Sequence, residues 1–186
     1  MKGMMRWLKF VITWTVIITL ALWTMPARAQ GGAQLAVLPP ETQVPVGNDL
    51  VIELYLTNGV NVNAFDIRVT YDPAVLTLNN WAHGGYLSNL AVVSQVDQPG
   101  SLRVAATQLA TAPVSGDGVL LVLNFKAAAA GTSAVTIANA ELADSAGAKT
   151  IPALAHGSVT ALQASTFTPT PTITRTPTRT PTRTPT

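Results

Sequence analysis

The chain has 186 residues, no cysteine and only 11% charged residues, so thiol chemistry and disulfide stapling are excluded and any fold is held by its core alone. Its formal net charge of +2 comes from the two ends: four of the eleven basic residues precede Gln30 and three follow Gln163, which leaves Arg68, Arg103, Lys126 and Lys149 against nine acidic residues between them, a net of −5. A stretch that acidic, with no basic patch interleaved with aromatics, lacks the footprint of a nucleic-acid binder.

Taken from the amino terminus, residues 1–29 read as an export signal. Lys2, Arg6 and Lys9 introduce an apolar run from Phe10 to Trp23, and "TMPARAQ" then sets Ala27 and Ala29 at the small positions of a cleavage site. The mature chain would begin at Gln30. An uncleaved membrane anchor is the alternative, but an apolar run 14 residues long falls short of the about 20 that a span needs. The segment 30–163 is long enough to bury a core of its own.

That segment is a series of short apolar runs broken by Gly, Pro, Asn and Asp. Strands are predicted at Gln34 to Leu38, Asp49 to Thr57, Val62 to Tyr71, Val75 to Leu78, Leu90 to Val96, Ser101 to Ala106, Val119 to Phe125, Ala134 to Ile137 and Gly157 to Leu162. Nine short strands without a convincing helix argue for an all-β sandwich of immunoglobulin-like architecture. Phe65, Ile67, Val69 and Tyr71 alternate with Asp66, Arg68 and Thr70, which puts the first set in the core and the second on an outer face. In "GVLLVLNFKA" the alternation is weaker: Leu120, Val122, Asn124 and Lys126 oppose Val119, Leu121, Leu123 and Phe125. That strand is expected to be buried on both sides or covered by a partner.

Chemistry is thinly supplied. His83 and His156 both stand beside glycines and read as loop histidines, too few for a histidine metal cage. Asp72 in "YDP", Asp117 in "SGDGV" and Asp144 in "LADSAG" carry turn signatures, because an Asp side chain can accept from a backbone amide two residues on. No acidic pair is fixed across a cleft as glycoside hydrolysis requires, and no calcium loop with carboxylates at every second position is present. Trp81 and Tyr86, in "NNWAHGGYLSN", either stack on a sugar or cap the end of the sandwich. Asp66 differs from the turn aspartates: it sits mid-strand on the solvated phase beside Arg68 and Thr70, as a protein contact or as part of an ordinary wet face. Arg103 and Ala105 share that phase on their own strand. Beyond the sandwich, residues 164–186 repeat TRTP from Thr174, Thr178 and Thr182, a semi-rigid extracellular spacer whose threonines are candidates for glycosylation.

The order and spacing of "VPVGNDLVIELYLTN", "NVNAFDIRVTYDPAVLTL", "GSLRVAAT", "GDGVLLVLNFKA", "AGTSAVTIANAELADSAG" and "IPALAHGSVT" resemble the cohesin family, the receptor modules of scaffolding and surface proteins, over about Gln34 to Leu162. The resemblance implies a nine-stranded jelly-roll sandwich that binds, without catalysis, a dockerin carried by a secreted protein, often a polysaccharide-degrading enzyme. Calcium then belongs to the dockerin and not to this domain. By the same resemblance Asp66 corresponds to the family's partner-contacting aspartate, and Asp117 with Gly118 to an acidic-glycine turn near the edge of the binding surface. Arg68, Thr70, Arg103 and Ala105 join them by strand phase. Two residues before Asp66 the type I pattern has asparagine, where this chain has Ala64. A carbohydrate-binding module and a structural or adhesive surface domain are the competing functions.

Overall fold

A strand with apolar residues at every second position can bury only one face, so two such sheets must close on each other. The computed structural model describes residues 31–163; the export signal and the TRTP repeats lie outside the described residues. Among the described residues there are twelve strands and no helix: β1 (Gln34–Leu38), β2 (Glu41–Pro45), β3 (Asp49–Val62), β4 (Ala64–Thr70), β5 (Leu76–His83), β6 (Leu90–Gln98), β7 (Ser101–Gln108), β8 (Val114–Ala127), β9 (Gly131–Ala143), β10 (Lys149–Thr150), β11 (Ala153–Ala155) and β12 (Gly157–Leu162). Five form one sheet in the order β11-β1-β3-β8-β5; the other runs β2-β12-β9-β4-β7-β6, with β10 added beside β9.

Both ends of the described chain switch sheets. β1 lies in the five-stranded sheet and β2 in the seven-stranded one, with Pro39 and Pro40 between them, where the missing amide donors interrupt the ladder. β11 and β12 make the same switch, so β11 pairs parallel with β1 and β12 parallel with β2. The corner is tight at Gly157, where a Cβ would stand 2.6 Å from Val37 Cγ1 and 3.1 Å from the Pro40 carbonyl oxygen.

The core lies between the sheets. Ile52, Leu54 and Leu56 of β3 and Leu121, Leu123 and Phe125 of β8 face Phe65, Ile67 and Val69 of β4, Leu102 and Val104 of β7, and Val135 and Ile137 of β9. Tyr71 closes edge-on against Phe125 with ring centroids 4.9 Å apart. The phase read for Phe65 to Tyr71 is therefore the phase of the fold. The expected burial of β8 on both sides, or under a partner, is confined to one residue: Leu54 pairs with Leu121 and Tyr55 with Val119, so Leu120 is the extra residue of a bulge and is buried beside Leu121, while Val122, Asn124 and Lys126 on the outer side stay partly or fully exposed.

The jelly-roll, immunoglobulin-like sandwich agrees with expectation, with three short strands more than nine: β2, β10 and β11. Strand ends differ further. β3 continues past Asn58 and Asn61, both at positive φ, by bulging against β8, which begins at Val114 and not at Val119. β5 extends through Trp81 to His83, so His83 ends a strand and is not a loop residue.

Candidate functional site

Four neighbouring strands, β6, β7, β4 and β9, carry the charged outer face of the seven-stranded sheet. Registers stack their outward residues in rows. Val96, Arg103, Arg68 and Asn139 stand side by side in one row; Ser94, Ala105, Asp66 and Glu141 form the next; Ala91, Thr107, Ala64 and Ala143 form a third. A fourth row holds Gln98, Ser101, Thr70 and Thr136, with the Thr70 hydroxyl directed at the Thr136 carbonyl at 3.5 Å. Asp66, Arg68, Thr70, Arg103 and Ala105 thus share one rigid face, as their phases require.

Arg68 and Arg103 are directly opposite on adjacent strands, as are Asp66 and Glu141. Like charges in those positions repel, and the side chains resolve this diagonally. Arg103 donates through Nε and Nη2 to the two carboxylate oxygens of Asp66, at 2.9 and 2.5 Å. Lys149 of β10 reaches back across the hairpin to Glu141 at 2.6 Å. The bidentate Arg103 bond holds the Asp66 carboxyl below its usual range; partial burial opposes this, and the positive charges of Arg103, Lys149 and Arg68 add to it. Arg103 and Lys149 are each pushed up by their carboxylate partners. Asp66 is therefore not a bare acceptor, since half of its lone-pair directions are already occupied. Arg68, exposed between Arg103 and Asn139, has no ion-pair partner among the described residues.

Three of the four basic residues of the folded segment, Arg68, Arg103 and Lys149, gather on this face; the fourth, Lys126, lies on the outer side of the other sheet. Beside the charges runs an apolar margin along edge strand β6, where Val93 is 70% and Val96 40% exposed. Val93 is the extra residue of a bulge opposite Ala105 and Ala106. The sequence marks none of Glu141, Lys149, Val93 and Val96 as a partner contact. Glu141 lies in a strand predicted to end at Ile137, and Lys149 in a two-residue strand without periodicity.

The remaining predicted residues have other work. Asp117 and Gly118 are not brought to this face: they belong to β8 in the five-stranded sheet, where Asp117 Oδ1 accepts from the Asn58 amide at 2.7 Å. Gly118 lies under Tyr86, whose ring would stand 2.8 Å from a Cβ added there. Tyr86 is itself 8% exposed, with its hydroxyl donating to the Val114 carbonyl, and burial raises its pKa. Of the two readings of Trp81 and Tyr86, an exposed stacking pair does not form: Tyr86 fills a slot left by Gly59 and Gly118 in two strands, and only Trp81 stays half-exposed, packed on the core and edge-on to His83. Asp72 and Asp144 are turn devices, accepting from Ala74 N and from Ala146 N and Ala148 N at 2.8 to 2.9 Å. His156 remains in a loop and accepts from the Ile137 amide beside the β9 bulge. Among the described residues, no group of three or more His, Asp or Glu side chains is placed to hold a metal ion.

A family model of the cohesin domain matches residues 35–161. Among solved structures, the non-cellulosomal cohesin of the archaeon Archaeoglobus fulgidus superposes with a TM-score of 0.62 at 19% identity, covering 71% of this chain and 92% of that one. The sixth cohesin of Acetivibrio cellulolyticus scaffoldin B, solved in complex with a Cel5 dockerin, gives 0.59 at 21%, covering 70% and 99%. The CaCohA2 protein of Clostridium acetobutylicum gives 0.58 at 22%, covering 70% and 91%. No curated protein matches significantly. At these identities the structural likeness speaks for the fold; the family match, which takes in well over half of the chain and all twelve strands but the first and last residues of the outermost ones, shows that the chain belongs to the cohesin family.

Proposed function

We propose that this chain is a non-catalytic extracellular docking module and that the outer face of β6, β7, β4 and β9 receives a dockerin-bearing protein. Solved relatives include cohesins captured with dockerins, and the family suggests a secreted polysaccharide-degrading enzyme as the bearer. The observation that carries the reading for this chain is the convergence of Asp66, Arg68, Thr70, Arg103 and Ala105 on one face beside the exposed Val93 and Val96. Because the sheet is already ordered by its ladder, docking costs little backbone entropy, and an apolar margin beside polar rows supplies both affinity and register. The export signal at 1–29 would deliver the domain 30–163 outside the cell, and the TRTP segment 164–186 would hold it at a distance from whatever it is joined to.

The test is calorimetry of the secreted chain against dockerin modules, first in calcium and then in chelator, since the metal is expected on the dockerin. Binding is expected in calcium only. Asp66→Ala is expected to weaken it by more than about 1 kcal/mol. Unchanged binding by that variant would move the contact to another face, and no binding to any dockerin would remove the proposal.

A further inference from the structure

Resting on the docking reading, we infer that the partner of this face brings a carboxylate to Arg68, so that recognition turns on an acidic residue of the partner and not on a donor aimed at a bare Asp66. The ion pairing on the face leaves that one vacancy. The only carboxylates on the outward positions of β6, β7, β4 and β9 are Asp66 and Glu141, and both are taken, by Arg103 and by Lys149. Arg103 is not the free cation, because its charge is already matched by Asp66, whose two carboxylate oxygens take the Nε and Nη2 donors of one guanidinium edge. Arg68 is exposed, without an ion-pair partner among the described residues, in the same row as Val96 and Asn139.

A partner seated across that row must strip water from the guanidinium. Covering it with an apolar or cationic surface leaves a charge without compensation, which is strongly unfavourable; a carboxylate meets its planar fork with two parallel hydrogen bonds. The setting favours an anion in a second way. Although the folded segment has a net charge of −5, three of its four basic residues, Arg68, Arg103 and Lys149, stand on this face against only Asp66 and Glu141, so the uncompensated charge there is that of Arg68 and it favours an acidic group of the partner.

A display library of dockerin modules varied at solvent-exposed positions, sorted in calcium against the secreted chain, tests this. Recovered clones should carry Asp or Glu at a contact position. They should lose about 30-fold or more in affinity for Arg68→Glu, as expected when one member of a buried charge pair is reversed, and regain binding when that acidic residue is changed to Lys. Lys126→Glu makes the same change in net charge on the opposite sheet and should alter affinity by less than about threefold, because it lies beyond a Debye length from the face. Clones that bind the native chain but tolerate Arg68→Glu, or that lose equally with Lys126→Glu, overturn the carboxylate inference while leaving docking intact. A library from which nothing binds overturns the docking reading and this one with it. Superposable circular dichroism and melting of the two variants exclude a folding defect.

Discussion

The ion pair between Asp66 and Arg103 makes a measurable claim about the face before any partner is found. The two side chains are 27% and 39% exposed, so their Coulomb attraction is screened by water and does not reach interior magnitudes. Exposed pairs contribute about 0.2–1 kcal/mol, and bidentate geometry at 2.9 and 2.5 Å places this one near the top of that range. Each single truncation also uncovers a repulsion: Asp66→Ala leaves Arg103 opposite Arg68, and Arg103→Ala leaves Asp66 opposite Glu141. Asp66→Ala should therefore cost about 1 kcal/mol and Arg103→Ala should destabilise as well, while the double variant should cost less than their sum by about 0.5–1 kcal/mol. Urea unfolding of the four proteins at pH 7, compared by midpoint at constant slope, gives the cycle. The pH dependence has a definite sign. The folded Asp66 carboxyl titrates below its unfolded value, so the stabilisation is complete above the unfolded pKa of about 4 and is lost as pH falls through the lower folded value. A coupling below about 0.3 kcal/mol at pH 7, or one that survives unchanged in 1 M salt where the Debye length is about 3 Å, would refute the pairing.

Four further outcomes follow from the packing. Gly59→Ala places a Cβ 2.3 Å from the Tyr86 hydroxyl and 2.9 Å from Leu56 Cδ2, and the resulting shift of a buried ring should lower unfolding stability by about 1–3 kcal/mol. Asp117→Ala removes the acceptor of the Asn58 amide and should cost about 1 kcal/mol, while leaving unchanged the affinity for any partner that Asp66→Ala weakens; lost affinity would restore Asp117 as a contact. Tyr86→Ala should cost about 3–5 kcal/mol in stability, as large aromatic truncations in cores do. Trp81→Ala should leave retention of the secreted chain on cellulose, chitin and xylan no lower than that of the native chain; a drop would revive the sugar-stacking reading.

What the sequence made legible was whatever is local. The period-two run from Phe65 to Tyr71 fixes the inner and outer faces of β4 by pleat geometry alone, and the placement of Asp66, Arg68 and Thr70 follows from it. Asp72 and Asp144 were legible for the same reason, since their acceptors and donors lie within four residues. Turn chemistry misled where it is used inside a ladder. Asn58, Asn61 and Gly116 take positive φ in bulges of the β3 and β8 pair, so residues that normally end strands here let two of them run on for 14 residues each. Tyr86 follows two glycines and looks like the tip of a loop; it is buried because Gly59 and Gly118, far away in the chain, leave room for its ring.

Register is the other quantity that periodicity does not carry, and on this face it decides the chemistry. Asp66 and Arg103 are 37 residues apart, and a shift of β7 by two positions would preserve every inward side chain while setting a different residue beside Asp66. The same register explains why the substitution at Ala64 matters. Ala64 stands between Thr107 and Ala143, with Ala91 beyond, so the row next to the ionic one presents methyl groups and a single hydroxyl. Where the type I pattern offers an asparagine amide, a partner of this chain finds a low apolar strip, and a polar group aimed there would lose its water without gaining a hydrogen bond. On the proposed docking face, apolar contact on that strip, an acidic group at Arg68 and the paired Asp66 between them would define a partner surface different from the one that an Asn and Asp pair would select.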